Sequence, residues 1–302
     1  MRHMRYIKIS SIIFISIFTI INISFAQKNN NVIVFLSMYN RKQTLKKLIG
    51  TIREDIPDLQ ELDLPIMHII NKRRIIFKVF KGTRGDKRLI FCFAPNYIDV
   101  HGFIMLEQML IDNFNVNLFI FFANSGAISD EAQIGDVYIP DVWYIHDEGM
   151  YTDRGFISRF EIEKMRGGNT SEHKIVRVLI EKIKKMNFSD MKKIIHIEGQ
   201  KPRIIVGGVG VSGNSWIDSK KKREELYNIF DAKIVDTRSA GMIEVGNINK
   251  IPIVSIKSVI DFAGKESIEP GDSKKIAMPR FYEGLCNAYY VSLYIIDNLD
   301  KF

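Results

Sequence analysis

Residues Leu118–Ala123 read Leu-Phe-Ile-Phe-Phe-Ala, without one polar side chain. A strand of that composition has no face to offer to water, so it must lie inside a sheet covered on both sides. The rest of the chain supplies both sheet and cover. Apolar runs of strand length recur at Asn31–Ser37, Ile66–Ile70, Ile75–Phe80, Leu89–Ala94 and Asp136–Ile145, and again at Arg203–Val206, Lys233–Asp236 and Ile253–Val259. Between them lie segments with helical spacing: Arg41–Glu54, Val100–Phe114, Ser171–Met186, Ser219–Phe230, Ser239–Ile248 and Arg280–Leu299. In the first of these, Leu45, Leu48, Ile49 and Ile52 fall on one side. Strands alternating with helices predict an α/β fold with helices on both faces of the sheet.

The first 26 residues stand apart. Arg2, Arg5 and Lys8 precede the apolar run Ile9–Ile23, and Ser24-Phe25-Ala26 offers small residues where a signal peptidase reads. This three-part pattern predicts a secretory signal over residues 1–26, a mature domain over 27–302 beginning near Gln27, and a secreted or periplasmic location. The rival reading, an uncleaved anchor, asks for a longer apolar span of about 20 residues. No stable membrane anchor is therefore expected.

The formal net charge is +8, and three of those charges sit in the signal segment. The densest basic run, Lys220-Lys221-Lys222-Arg223, is followed at once by Glu224-Glu225, which suits a solvated helix face better than a nucleic-acid patch. Cys92 and Cys286 lie in apolar runs; export permits a disulfide, and buried free thiols are the other reading. The six histidines have no metal-ligand spacing.

Gly208-Val209-Gly210-Val211-Ser212-Gly213 matches the dinucleotide fingerprint G-x-G-x-x-G. That fingerprint belongs in the first βα unit of a fold, and here it lies two-thirds along the chain. The residues that follow, Ser212-Gly213-Asn214-Ser215-Trp216-Ile217-Asp218, suit another task, because an indole offers a broad flat face without charge. Taken singly, Trp216 also fits a core anchor.

Four segments in order resemble the nucleoside phosphorylase/nucleosidase superfamily, and within it the methylthioadenosine/adenosylhomocysteine nucleosidases. They are Phe122–Ile128 with Ile134-Gly135-Asp136-Val137, the Ser212–Asp218 loop, Val235–Met242, and Ile251–Gly264. Ile139–Gly149, with Trp143 and His146, is similar to a secreted subgroup that includes plant bark storage proteins. The resemblance implies a three-layer α/β/α domain with a central mixed, curved sheet. It implies a purine base or nucleoside as ligand, with Trp216 stacking on the base, the Ile217 backbone at the base edge, and Asp261 as the acid at purine N7. Asn124, Ser125, Gly126 and Thr237 fall on the sugar or anion side. It also implies a homo-oligomer, a dimer or trimer.

The small loop has Asn124 where that pattern commonly has Ser, Ile260 stands where a polar residue usually precedes the Asp, and two further departures bear on the chemistry. The resemblance places Arg41 where the hydrolases carry a water-activating Glu, and Arg238 where they carry a sugar-binding Glu. Arginine stays protonated at physiological pH and cannot take a proton from water. The expectations that follow are N-ribosidic bond cleavage in purine nucleosides, or a non-catalytic binding or storage protein on the same fold, or a binder of an anionic nucleoside-like ligand. No cofactor is called for. Phosphate is an allowed co-substrate, with Arg41, Arg84 and Arg238 as candidate contacts.

Overall fold

The computed structural model describes residues 32–64, 77–153, 155–166 and 173–301. The predicted signal segment 1–26 and the predicted strand Ile66–Ile70 lie outside the described residues.

Val32–Tyr39 (β1) leads into Lys42–Asp55 (α1), which buries Leu45, Leu48 and Ile52. Gln60–Glu61 (β2), Lys78–Arg84 (β3), Lys87–Pro95 (β4), Val100–Asn113 (α2) and Val116–Ala127 (β5) follow. Val137–Ile139 (β6) and Val142–Ile145 (β7) precede a hairpin, Gly149–Thr152 (β8) with Gly155–Ser158 (β9). Arg159–Met165 (α3), His173–Lys174 (β10) and Arg177–Lys184 (α4) come next. The remainder is Ile204–Val206 (β11), Val209–Ser212 (β12), Lys220–Phe230 (α5), Ala232–Asp236 (β13), Ser239–Asn249 (α6), Ile253–Asp261 (β14), Asp272–Ala277 (α7) and Phe281–Asn298 (α8).

The wholly apolar run sits in β5, and β5 is the junction of the sheet. One edge pairs in parallel with β1 through Phe121. The other edge pairs in parallel with β14 from Phe119 to Gly126, and the last residues, Gly126 and Ala127, pair antiparallel with β13. From β1 the sheet continues through β4 and β3, and from β13 through β12 and β7. The change of partner along one long strand bends the sheet, so it is mixed and curved. α8 packs on β5 and β14, and α2 packs on α6. The outcome is the expected three-layer α/β/α arrangement. Phe122 meets the rings of Phe35, Phe93 and Tyr289 inside it.

Three segments differ from the sequence reading. The predicted strand Asp136–Ile145 is two strands, because Pro140 has no N–H for the ladder. β6 pairs with β11 and β14, while β7 pairs with β12 and β10. Among the described residues of the predicted helix Ser171–Met186, Arg177–Lys184 is helical and His173–Lys174 pairs with β7 instead. The glycine-rich fingerprint is mostly strand: β12 pairs in parallel with β7 and β13. A Cβ on Gly210 would lie 2.6 Å from the buried Trp143 ring. That glycine seats an indole and has no role as a phosphate-binding turn.

Cys92 and Cys286 are buried free thiols. The basic run is largely neutralised within its own surroundings. Arg223 is buried and donates to the Ala127 carbonyl and to Asp130, while Lys222 pairs with Glu225. Among the described residues, no helix is long and apolar enough to cross a membrane.

Candidate active site

The ends of β5, β13 and β14 open into a cavity of about 340 Å³. Asn124, Ser125 and Gly126 line it from β5, Thr237 and Arg238 from the entry to α6, Asp261 from β14, and Trp216 and Ile217 from the loop after β12. Eight of the ten positions read from the sequence therefore converge. Arg41 does not line this cavity; it is exposed at the N-cap of α1 and makes no side-chain cap bond. Arg84 is also elsewhere, in a two-point pair with Asp297.

Asp261 ends the last core strand and is 3% exposed. Its Oδ1 accepts a hydrogen bond from the Ala263 amide at 2.7 Å. Burial pushes the carboxyl up to about 7, against the smaller pull of that amide and of Arg280. The group thus holds a proton near neutral pH, as an acid must. Gly126 makes room for it, since a Cβ there would stand 2.8 Å from Asp261 Oδ1.

The loop that carries Trp216 is tied on several sides. Ser215 donates through its amide and hydroxyl to Asp147, and the Gly213 amide donates to the Asp236 carbonyl. Asp218 accepts from the Ser267 hydroxyl and the Gly271 amide, which joins this loop to the segment before α7. Ile217 is buried, whereas Trp216 is 49% exposed and lines the cavity. A large ring left half open at a cavity wall is not a core anchor. A second cavity, of about 270 Å³, shares Ser215, Trp216 and Ile217 and reaches His146.

Arg238 is not a free cation. Its Nε donates to the Ile98 carbonyl at 2.9 Å, and its Nη2 donates to the carbonyls of Ile98 and Asn96. Nη1 donates to Thr237 Oγ1. Burial lowers its pKa to about 10, opposed by Asp236 and Asp99, so the guanidinium keeps its charge at neutral pH. Asn124 is similarly engaged, donating from Nδ2 to the Phe281 carbonyl at 2.9 Å.

Three charged lining residues have no site role in the sequence reading: Asp99, Asp236 and Lys274. Asp236 is saturated. It accepts from the Ser212 hydroxyl, the Arg238 and Ser239 amides and the Ser239 hydroxyl, and lies 2.8 Å from Lys257 Nζ. Burial opposes its charge, but Lys257 and Ser239 outweigh that and hold the carboxyl below its ordinary range. Lys257 is wholly buried, 3.2 Å from the centre of the Phe121 ring, and burial brings its ammonium down to about 8. The signal for Asp99 was present, since Asp immediately before a helical run is an N-cap. Lys257 was hidden inside a strand that is buried along its whole length. No group of three or more metal-ligating side chains occurs among the described residues.

Two carboxyls on this ligand-sized cavity are therefore pushed in opposite directions, Asp261 up by burial and Asp236 down by its partners. The sequence profile described as Phosphorylase superfamily matches residues 78–285. The chain belongs to the phosphorylase superfamily. Among superfamily relatives, the 5'-methylthioadenosine/S-adenosylhomocysteine nucleosidase of Thermotoga maritima is 23% identical over 205 residues, covering 67% of this chain and 80% of the relative. The nucleosidase of the same description from Mycobacterium bovis is 24% identical over 170 residues, 54% of this chain and 66% of the relative. Among solved structures, the Helicobacter pylori enzyme of that description superposes with a TM-score of 0.64 at 16% identity, covering 90% of this chain and all of that one. Futalosine hydrolase of the same organism gives 0.64 at 17% identity, covering 89% and 98%. These superpositions establish the phosphorylase-superfamily fold.

Proposed function

We propose that residues 27–302 form a phosphorylase-superfamily domain that binds purine nucleosides and favours release of the base, with Asp261 as the acid at N7. The observation that carries this reading is the meeting of Trp216, the Ile217 backbone and a carboxyl raised to about 7 on one cavity. A base leaving the sugar gains electron density on its ring nitrogens, and a proton delivered there stabilises the leaving group. Relatives whose names describe adenine-nucleoside cleavage point the same way.

The nucleophile's half of the reaction is less well provided. Arg41 lies outside the cavity wall and cannot deprotonate water. Asp236 is saturated by internal partners. Hydrolysis of ordinary nucleosides is therefore slow in this reading, and binding outlasts turnover. No cofactor is called for. Phosphate is the co-substrate to try, although Arg238 is committed to carbonyls and Arg84 to Asp297. Release of base from adenosine, inosine and 5'-methylthioadenosine, measured with and without phosphate, tests the reading. Slow or absent release without phosphate, together with saturable purine binding, is expected; rapid phosphate-free hydrolysis refutes the assignment of the missing base.

The same reading places the mature chain outside the cytoplasm after cleavage of residues 1–26. N-terminal sequencing of exported protein should begin near Gln27, and retention of Met1 would defeat it.

A further inference from the structure

The cavity carries three carboxylates among the described residues: Asp99, Asp236 and Asp261. Asp261 is the acid facing the base. Asp236 is filled by four hydrogen bonds and the Lys257 pair. Asp99 remains. Its side chain is 64% exposed. Oδ1 accepts from the Gly102 amide at 2.9 Å and caps α2, whereas Oδ2 has only a 3.7 Å approach to His101 Nδ1.

The segment that ends in Asp99 is held by Arg238. The guanidinium grips the carbonyls of Asn96 and Ile98, and the Asn96 amide donates to the Tyr39 carbonyl at 2.9 Å. Arg238 stacks its charged end 5.0 Å from the Phe103 ring, one turn into the helix that Asp99 caps. A guanidinium with four of its N–H donors taken by two backbone carbonyls and the Thr237 hydroxyl has little left to offer a sugar, but it fixes where the next carboxylate stands.

We propose that Asp99, positioned by Arg238, is the carboxylate that accepts hydrogen bonds from the sugar hydroxyls of a bound nucleoside. The inference rests on the purine-nucleoside reading above and supplies its sugar side. A carboxylate accepts sugar hydroxyls through charge-assisted bonds, which are the stronger kind, and Oδ2 is the oxygen of Asp99 that the helix cap leaves over. In this arrangement the acid has moved to the adjoining loop, and the arginine at position 238 holds that loop in place.

The test uses the full mature chain and calorimetric titration with adenine, adenosine and 2',3'-dideoxyadenosine, and with the matching hypoxanthine set. Wild type should prefer the ribonucleoside to the dideoxy compound by about 10-fold, the scale of one charge-assisted hydrogen bond. Asp99→Asn should erase that preference and leave affinity for the free base unchanged. Asn caps a helix as well as Asp does, so the melting temperature should hold. Arg238→Lys, which cannot make the forked contact, should reduce the same preference and add little in combination with Asp99→Asn. Retention of the preference in Asp99→Asn overturns the inference and leaves purine binding standing. Failure of wild type to bind any base or nucleoside overturns both.

Discussion

Replacing Asp261 by Asn should make the ligand-free protein more stable above neutral pH. In the folded chain the carboxyl is raised by burial from 3.8 to about 7, and in the unfolded chain it ionises in the ordinary range. Between those limits folding takes up a proton. The contribution of this group is therefore fully present below the unfolded pKa and is lost as pH rises through the folded one. Each pH unit between the two is worth about 1.4 kcal/mol, so wild type forfeits up to about 4 kcal/mol by about pH 8. Asn keeps an oxygen for the Ala263 amide and carries no charge to desolvate. The stability difference between variant and wild type should then widen by roughly 2–3 kcal/mol from about pH 5 to about pH 8, as read from urea unfolding. A difference that stays constant over that range would mean that Asp261 ionises normally in the folded protein, and the acid assignment would fall with it. Loss of base release in the same variant, with binding retained, would mark the familiar exchange of stability for chemistry.

Trp216→Ala should weaken purine binding by about 10-fold or more while leaving the unfolding transition unchanged, because the ring is half exposed; unaltered binding would assign the indole to packing alone. Lys257→Met should destabilise the fold by about 3–5 kcal/mol, since it leaves the buried Asp236 without its counter-charge, and chemical denaturation showing a change under about 1 kcal/mol would contradict the pairing. The exposed Met105 of α2 and Ile248 of α6 lie on two helices that pack together. Sedimentation at micromolar concentration should find dimers or trimers, and a monomer throughout would count against an assembly there.

Much of the fold was legible because its strands are nearly pure in composition. β1, β4, β5 and β14 advertise burial on both faces, and the amphipathic stripe of α1 is plain. The misreadings came where one residue overrides a pattern. Pro140 divides what hydrophobicity alone shows as one strand, and Gly210 hides a strand because the volume it lacks is occupied by Trp143 from the neighbouring strand. Site residues that end strands, Asp261 and Gly126, could be placed from their segments. The behaviour of Arg238 could not, because its partners are backbone carbonyls 140 and 142 positions away and leave no trace in residue type. Asp99 was legible as a helix N-cap and as nothing more.

β5 also governs when the protein can first hold a ligand. Its two edges and its tip join a strand from the beginning of the chain to two from its last quarter. None of the cavity's walls can be assembled locally, and the last one arrives with β14 and α8, which close it with Asp261 and Phe281. Distant pairings of this sort form late and slowly. During synthesis the emerging chain thus cannot complete this cavity until nearly all of it is available. A ligand that meets the finished cavity acts on the whole fold at once, so it should slow global unfolding rather than rigidify a single loop.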